Sequence, residues 1–181
     1  RDGYQVIDEK VSSLITKLRN RGISVLYDNR DTQKPGWKFA EYELKGIPLR
    51  LALGPRDLEN NTLEIARRDL MTKETISMDS ADATVDHLLV EIQKTIFKNA
   101  YDFRQQNTTE VNSYDEFKAV LEEKGGFVKA HWDGTPETEE QIKNETKATI
   151  RCILIDEKPE QGKCIYSGKP SDKRVVFAKS Y

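Results

Sequence analysis

Two carboxylates, Glu43 and Asp57, one aromatic ring, Phe39, and two cations, Arg50 and Lys73, are the residues with the most to offer chemically. A carboxylate carries two adjacent acceptor oxygens, which match the neighbouring N1–H and N2–H₂ donors on the pairing edge of guanine. Unpaired RNA bases are read by such edge contacts and by stacking on aromatic faces. Arg50 and Lys73 add positive charge for phosphates or base carbonyls. Phe39 and Glu43 stand four apart, so a helix puts them on one face. Together these residues suit the reading of two guanines in single-stranded RNA. A plainer use competes with this: Asp28, Arg30, Asp31, Arg56 and Asp57 can equally form structural ion pairs and turn caps at loop ends.

All but Lys73 lie in one stretch, Tyr27–Glu59, which also holds three Gly, three Pro and a Trp. Gly and Pro shape the backbone there. The spacing predicts a helix over 5–20, closed by Arg21-Gly22, and a short buried strand over Ile23–Leu26. A second helix follows Pro35-Gly36, over Trp37–Leu44, closed by Lys45-Gly46. Pro48 leads into a strand over Leu49–Leu53, broken by Gly54-Pro55. Thr62–Arg68 alternates apolar and polar residues and reads as a strand, although Ala66–Asp69 is also compatible with helix. Glu74–Met78 is its hairpin partner. Ser80–Asp82 offers caps for a long helix to about Asn107, with an apolar stripe of Val85, Leu88, Leu89, Ile92, Ile96 and Ala100. The expected first unit is an α/β domain, a small mixed sheet flanked by helices. His87, on the long helix without a partner, reads as structural or solvated.

In the second half, Thr108–Asn112 reads as a polar linker. Ser113 and Glu116 form a capping box for a helix with Phe117, Val120 and Leu121 on its buried face, stopped by Gly125-Gly126. A strand over Phe127–Trp132, a helix from Thr138 to about Lys147, and strands over Ile150–Ile155, Lys163–Tyr166 and Arg174–Ala178 complete a small α+β domain. Thr138 with Gln141 reads as another capping box.

The run KPGWKFAEYELKG within DNRDTQKPGWKFAEYELKGIPLRLALGPRDLE resembles the anticodon-binding domain of prolyl-tRNA synthetase, of the archaeal and eukaryote-like type. ARRD at 66–69 and KETI at 73–76 extend the likeness, and the second half resembles that type's C-terminal extension. The resemblance implies domains over 1–108 and 109–181, and anticodon contacts by Phe39, Glu43, Arg50, Asp57 and Lys73. It implies proline tRNA as partner, a class II catalytic domain in the same chain, ATP and Mg in the full enzyme, and a homodimer. It places the terminal Tyr181 near the active site; a frayed edge strand is the plainer reading of that end. Such anticodon domains begin with a strand, which here falls before Arg1, so an upstream part is expected to be missing and no catalytic residue is expected in this stretch. Related C-terminal domains carry four zinc-binding cysteines as C-x4-C and C-x2-C. Here those positions are Asp133, Thr138, Cys164 and Ser167, so the metal ligands are largely lost and zinc is not expected. His131 and Cys152 match no zinc spacing.

Bulk properties set the outer limits. The chain has 181 residues, net charge −2, and is 36% hydrophobic and 33% charged. That balance excludes a generic polyanion binder, so any nucleic-acid site must be local. No apolar run suits a membrane span, and RDGYQVIDEK has no signal core, which points to a cytoplasmic protein. Phosphate-cradling glycine motifs are absent. The competing class is a non-catalytic RNA-binding accessory protein built on the same domain.

Overall fold

Leu63 and Ile65 alternate with Glu64 and Ala66, the period-two signature of a half-buried strand, and the first sheet is built around them. A computed structural model of the chain describes residues 2–179, with side chains from Val6 onward. It divides into two units, Arg1–Lys98 and Asn99–Tyr181.

In the first unit, α1 (Asp2–Asn20), α2 (Pro35–Leu44), β1 (Leu49–Ala52), α3 (Pro55–Glu59), β2 (Thr62–Arg67), β3 (Thr72–Ser77) and α4 (Ala81–Gln106), whose residues from Asn99 on belong to the second unit, follow in order. The strands form an antiparallel sheet in the order β1-β2-β3. One face is apolar. Leu63 and Ile65, each 1% exposed, pack with Leu18 of α1 and with Ala81, Val85 and Leu88 of α4, and Leu49, Leu51 and Ile76 lie against the same cluster. Each fully buried aliphatic side chain stabilises by about 1.5–3 kcal/mol. The opposite face carries Arg50, Glu64, Ala66 and Lys73.

The α/β class is as expected, with two corrections to its detail. Residues 23–26 carry no ladder, and among the described residues every strand pair of this unit is antiparallel rather than mixed. The reason is local. Gly22, at φ +79°, closes α1, and the Ile23 N–H bonds back to the Leu18 carbonyl at 3.1 Å in a Schellman-type cap. Ile23 and Val25 still pack on the core, so their alternation records burial without pairing. The stripe of α4 also stops early: Ile92 is buried, while Ile96 and Ala100 are exposed. A 26-residue helix runs about 39 Å, roughly twice the span of a six-residue strand.

The second unit contains β4 (Thr108–Glu110), α5 (Tyr114–Glu123), β5 (Phe127–His131), α6 (Pro136–Thr146), β6 (Ala148–Ile153), β7 (Gly162–Lys163), β8 (Pro170–Ser171) and β9 (Arg174–Lys179). Its main sheet runs β4-β5-β9-β6, with β4 parallel to β5 and the other pairs antiparallel; β7 and β8 form a separate hairpin. Of the expected polar linker, Thr108–Glu110 is therefore a strand, because pairing with β5 satisfies its backbone, and Val111 after it is buried. The last strand is interior, since Val175, Val176, Phe177 and Ala178 are all buried, as a strand covered on both faces requires.

Ser113 caps α5 by accepting the Glu116 N–H at 3.2 Å, and the Glu116 carboxylate accepts the Asn112 N–H at 3.0 Å. Gly126, at φ +81°, ends the turn after α5, and a Cβ there would sit 2.5 Å from the Asn107 carbonyl oxygen. The expected Thr138–Gln141 box does not form. Helix α6 starts at Pro136 with Thr135 as its cap, so Thr138 lies inside the first turn. Phe117 meets Phe177 edge-on at 5.1 Å in the core.

Candidate nucleic-acid interface

The pleat decides which side chains meet on the polar sheet face. Arg50 of β1 pairs with Ala66 of β2, and Ala66 pairs with Lys73 of β3. The two cations therefore flank a methyl group on one rung, and Glu64 stands two residues along β2 on the same face. Helix α2, begun by Pro35 at its first position, carries Phe39 and Glu43 beside this rung. A cleft of about 150 Å³ is lined by Phe39, Glu43, Arg50, Ala66 and Lys73, with Tyr42 and Arg68 at its sides. Four of the five residues expected to form the site thus share one cleft. Asp57 is not among its lining residues.

The charges in the cleft are held unequally. Arg50 Nη1 donates to Glu64 Oε1 at 3.1 Å, and Lys73 Nζ lies 3.0 Å from Glu64 Oε2. Lys73 first, and Arg50 with it, hold the Glu64 carboxyl below the usual carboxylate range against the opposing effect of burial. The Arg50 guanidinium lies 3.5 Å from the centre of the Phe39 ring, a cation–π stack. Its Nε is buried with no hydrogen-bond partner among the described residues. Arg68 Nε donates to the Glu43 carbonyl at 2.7 Å and ties the end of α2 to the β2–β3 turn. Glu43 itself is exposed. This gives a carboxylate facing solvent beside an aromatic–guanidinium stack and an ammonium group, which is the equipment for holding a planar base with donors on its edge.

Glu64 and Arg68 were not legible as site residues in the sequence. The alternation of β2 put Glu64 on the polar face, but only the registers with β1 and β3 place it between the two cations.

Outside the cleft, several charged residues serve the backbone. Asp57 Oδ2 accepts the Gly54 N–H at 2.9 Å and caps α3. Arg30 bonds both Asp28 oxygens, at 2.9 and 2.7 Å, and Glu41 at 2.9 Å, and the Tyr42 hydroxyl donates to Asp28 at 3.0 Å. Arg30 foremost holds the Asp28 carboxyl far below its ordinary value, against a contrary push from burial. Asp28 and Arg30 are braces of the loop before α2. Arg56 is exposed.

The second unit holds a different cluster. Asp133 Oδ2 accepts the Ser167 hydroxyl at 2.6 Å and the Thr138 hydroxyl at 2.9 Å. Its Oδ1 accepts the Thr135 hydroxyl at 2.8 Å and the Thr135 N–H at 3.2 Å. Burial opposes the charge, but these bonds, from Ser167 most strongly, bring the Asp133 pKa down to about 2. Cys164 is buried three residues before Ser167, in a turn closed by Gly168 N–H to its carbonyl at 2.9 Å. Three of the four positions that the resemblance pairs with zinc ligands, Asp133, Thr138 and Ser167, therefore do converge, but the donor set does not fit zinc. Both hydroxyls are spent on Asp133 and would need deprotonation to bind metal, leaving one thiol and one carboxylate. His131 belongs to another network, with Nδ1 3.1 Å from Ser171 Oγ and Nε2 3.5 Å from Glu160. Tyr181 lies outside the described residues.

Comparison with known proteins places both halves of the chain among described families. Residues 3–88 match the family model described as anticodon binding domain, and residues 114–181 match the one described as prolyl-tRNA synthetase, C-terminal. The match makes the α/β part an anticodon-binding unit of the aminoacyl-tRNA synthetase kind, followed by a small α+β domain. Among similar proteins, the proline–tRNA ligase of Porphyromonas gingivalis is 61% identical over 175 residues, covering 97% of this chain and 35% of the relative. That of Parabacteroides distasonis is 59% identical over the same shares, and that of Bacteroides fragilis 55% identical over 98% of this chain and 36% of the relative. The chain belongs to the prolyl-tRNA synthetase family. It spans about a third of the length of the curated relatives it matches. Among the described residues, no helix is long and apolar enough to cross a membrane.

Proposed function

We propose that the chain reads the anticodon of proline tRNA for a proline–tRNA ligase. Residues 1–108 act as the anticodon-binding domain, and residues 109–181 as a zinc-binding-like domain that has largely lost its metal ligands and binds no zinc. The proline anticodon ends in two guanines. Glu43 reads one and Asp57 the other, Phe39 stacks, and Arg50 and Lys73 meet phosphates or base carbonyls. In the complete enzyme, a catalytic domain of the same chain uses ATP and Mg to activate proline and passes the prolyl group to the tRNA 3′ end. The complete enzyme is a cytoplasmic homodimer.

The observation that carries this reading is the solvent-facing Glu43 carboxylate set in one cleft with the Phe39–Arg50 stack and Lys73. A surface carboxylate chosen for solubility needs no aromatic platform beside it. The test is Glu43→Gln, which keeps the shape but sets an amide donor against guanine's donors. Proline tRNA binding should weaken by about 1–3 kcal/mol, the usual cost of a lost base contact, while the melting temperature stays put. Binding equal to that of the parent would reject the assignment of Glu43.

A further inference from the structure

Glu64 lies between the two cations of the cleft without lining it. Its two oxygens are divided, Oε1 to Arg50 and Oε2 to Lys73, across the rung on which Ala66 leaves the floor low. The pairing does two things. It fixes the Arg50 guanidinium through Nη1 while the Phe39 ring fixes it from the side, 3.5 Å away. It also screens charge. Phosphates attract Arg and Lys regardless of sequence, and this attraction supplies most non-specific binding. Two unscreened cations at the floor would hold any RNA strand that entered.

We infer that Glu64 is a specificity-determining positioning residue, which orients Arg50 on Phe39 and lowers the affinity of the cleft for RNA that lacks the matching bases. A phosphate reaching Arg50 or Lys73 meets cations whose charge the Glu64 carboxylate already partly neutralises. Only an RNA that also satisfies Glu43 and the Phe39–Arg50 stack makes up for the attraction lost to that screening. The depressed Glu64 carboxyl keeps the screen charged through the neutral range.

This inference rests on the proposed anticodon reading, and the experiment separates the two. Binding of proline tRNA and of a tRNA with a different anticodon is measured by fluorescence anisotropy at several salt concentrations, for the parent protein, Glu64→Gln and Glu64→Asp. Circular dichroism melts check that each variant is folded. Glu64→Gln should bind the mismatched tRNA more tightly than the parent does. Its preference for proline tRNA should shrink, and its log–log salt slope should steepen by about 0.7 for each cation released to a phosphate. Glu64→Asp keeps the screening charge and should keep the parent's slope. If the parent prefers proline tRNA and Glu64→Gln retains both preference and slope, the role of Glu64 is overturned alone. If Glu64→Asp matches Glu64→Gln, charge screening is not the cause and the inference also fails. A parent with no preference between the two tRNAs overturns the anticodon reading and this inference with it.

Discussion

Replacing Asp133 by Asn tests what holds the turn regions of the second unit together. Four hydrogen bonds end on this carboxylate, from Thr135 N–H and from the hydroxyls of Thr135, Thr138 and Ser167. An amide keeps one acceptor oxygen and turns the other position into a donor, so at least one hydroxyl meets a donor. Hydrogen bonds to charged groups contribute about 1.5–3 kcal/mol. The pKa, drawn from 3.8 to about 2 by the same bonds, points the same way, although solvent screening of this partly exposed carboxylate keeps its share of stability below the full shift. The expected loss is thus about 2 kcal/mol at pH 7, or about 10 °C in melting temperature for a unit of this size.

The sign of the pH dependence follows from the depressed value. The contribution of the carboxylate is complete above its unfolded pKa near 4 and fades as pH falls through about 2. The assay is urea unfolding followed by Trp132 emission in a Trp37→Phe background, which removes the other tryptophan, itself 49% exposed and outside the second unit. The gap between parent and Asp133→Asn should be widest at pH 6–7 and close towards pH 2. Other depressed carboxyls, such as Glu160 at about 2 beside Arg174, are common to both proteins and cancel in the gap. A chelator should leave the parent's midpoint unchanged, and elemental analysis should find well under one zinc per chain. A gap that is absent at pH 7, or independent of pH, refutes the role of Asp133. Stoichiometric zinc refutes the metal-free reading.

Two further outcomes follow from the same reasoning. Asp57→Asn keeps an oxygen for the Gly54 N–H, so its melting temperature should match the parent's while proline tRNA binding weakens; Asp57→Ala should also lose about 1 kcal/mol of stability with the cap. Parent-like affinity in Asp57→Asn would leave Asp57 as a cap only. Deleting Tyr181 from the complete enzyme should lower its aminoacylation rate, if the approach to the active site that the resemblance implies holds, and unchanged kinetics would end that idea.

What was readable in advance depended on how local the cause was. Phe39 and Glu43 were placed together by a spacing of four on a helix whose start and end carry Pro and Gly, and the cleft contains both. The Ser113–Glu116 cap and the stop at Gly125-Gly126 needed only neighbours in sequence. Asp57 shows the limit: its type and position fit base reading and helix capping equally, and the cap is visible only once α3 exists.

The sequence by itself determined the two-part α/β and α+β organisation, the helix faces and the residue types of the site, because periodicity and turn chemistry act within a few residues. Only the tertiary structure decided that Ile23 and Val25 pack without pairing, that Thr108–Glu110 is a strand and that β9 is interior, because strand pairing is settled by distant partners. The same cause set Glu64 between Arg50 and Lys73, and brought Asp133, Thr138 and Ser167 to one point. Spacing along the chain carries no record of which rung faces which, and that register is where the chemistry of both clusters resides.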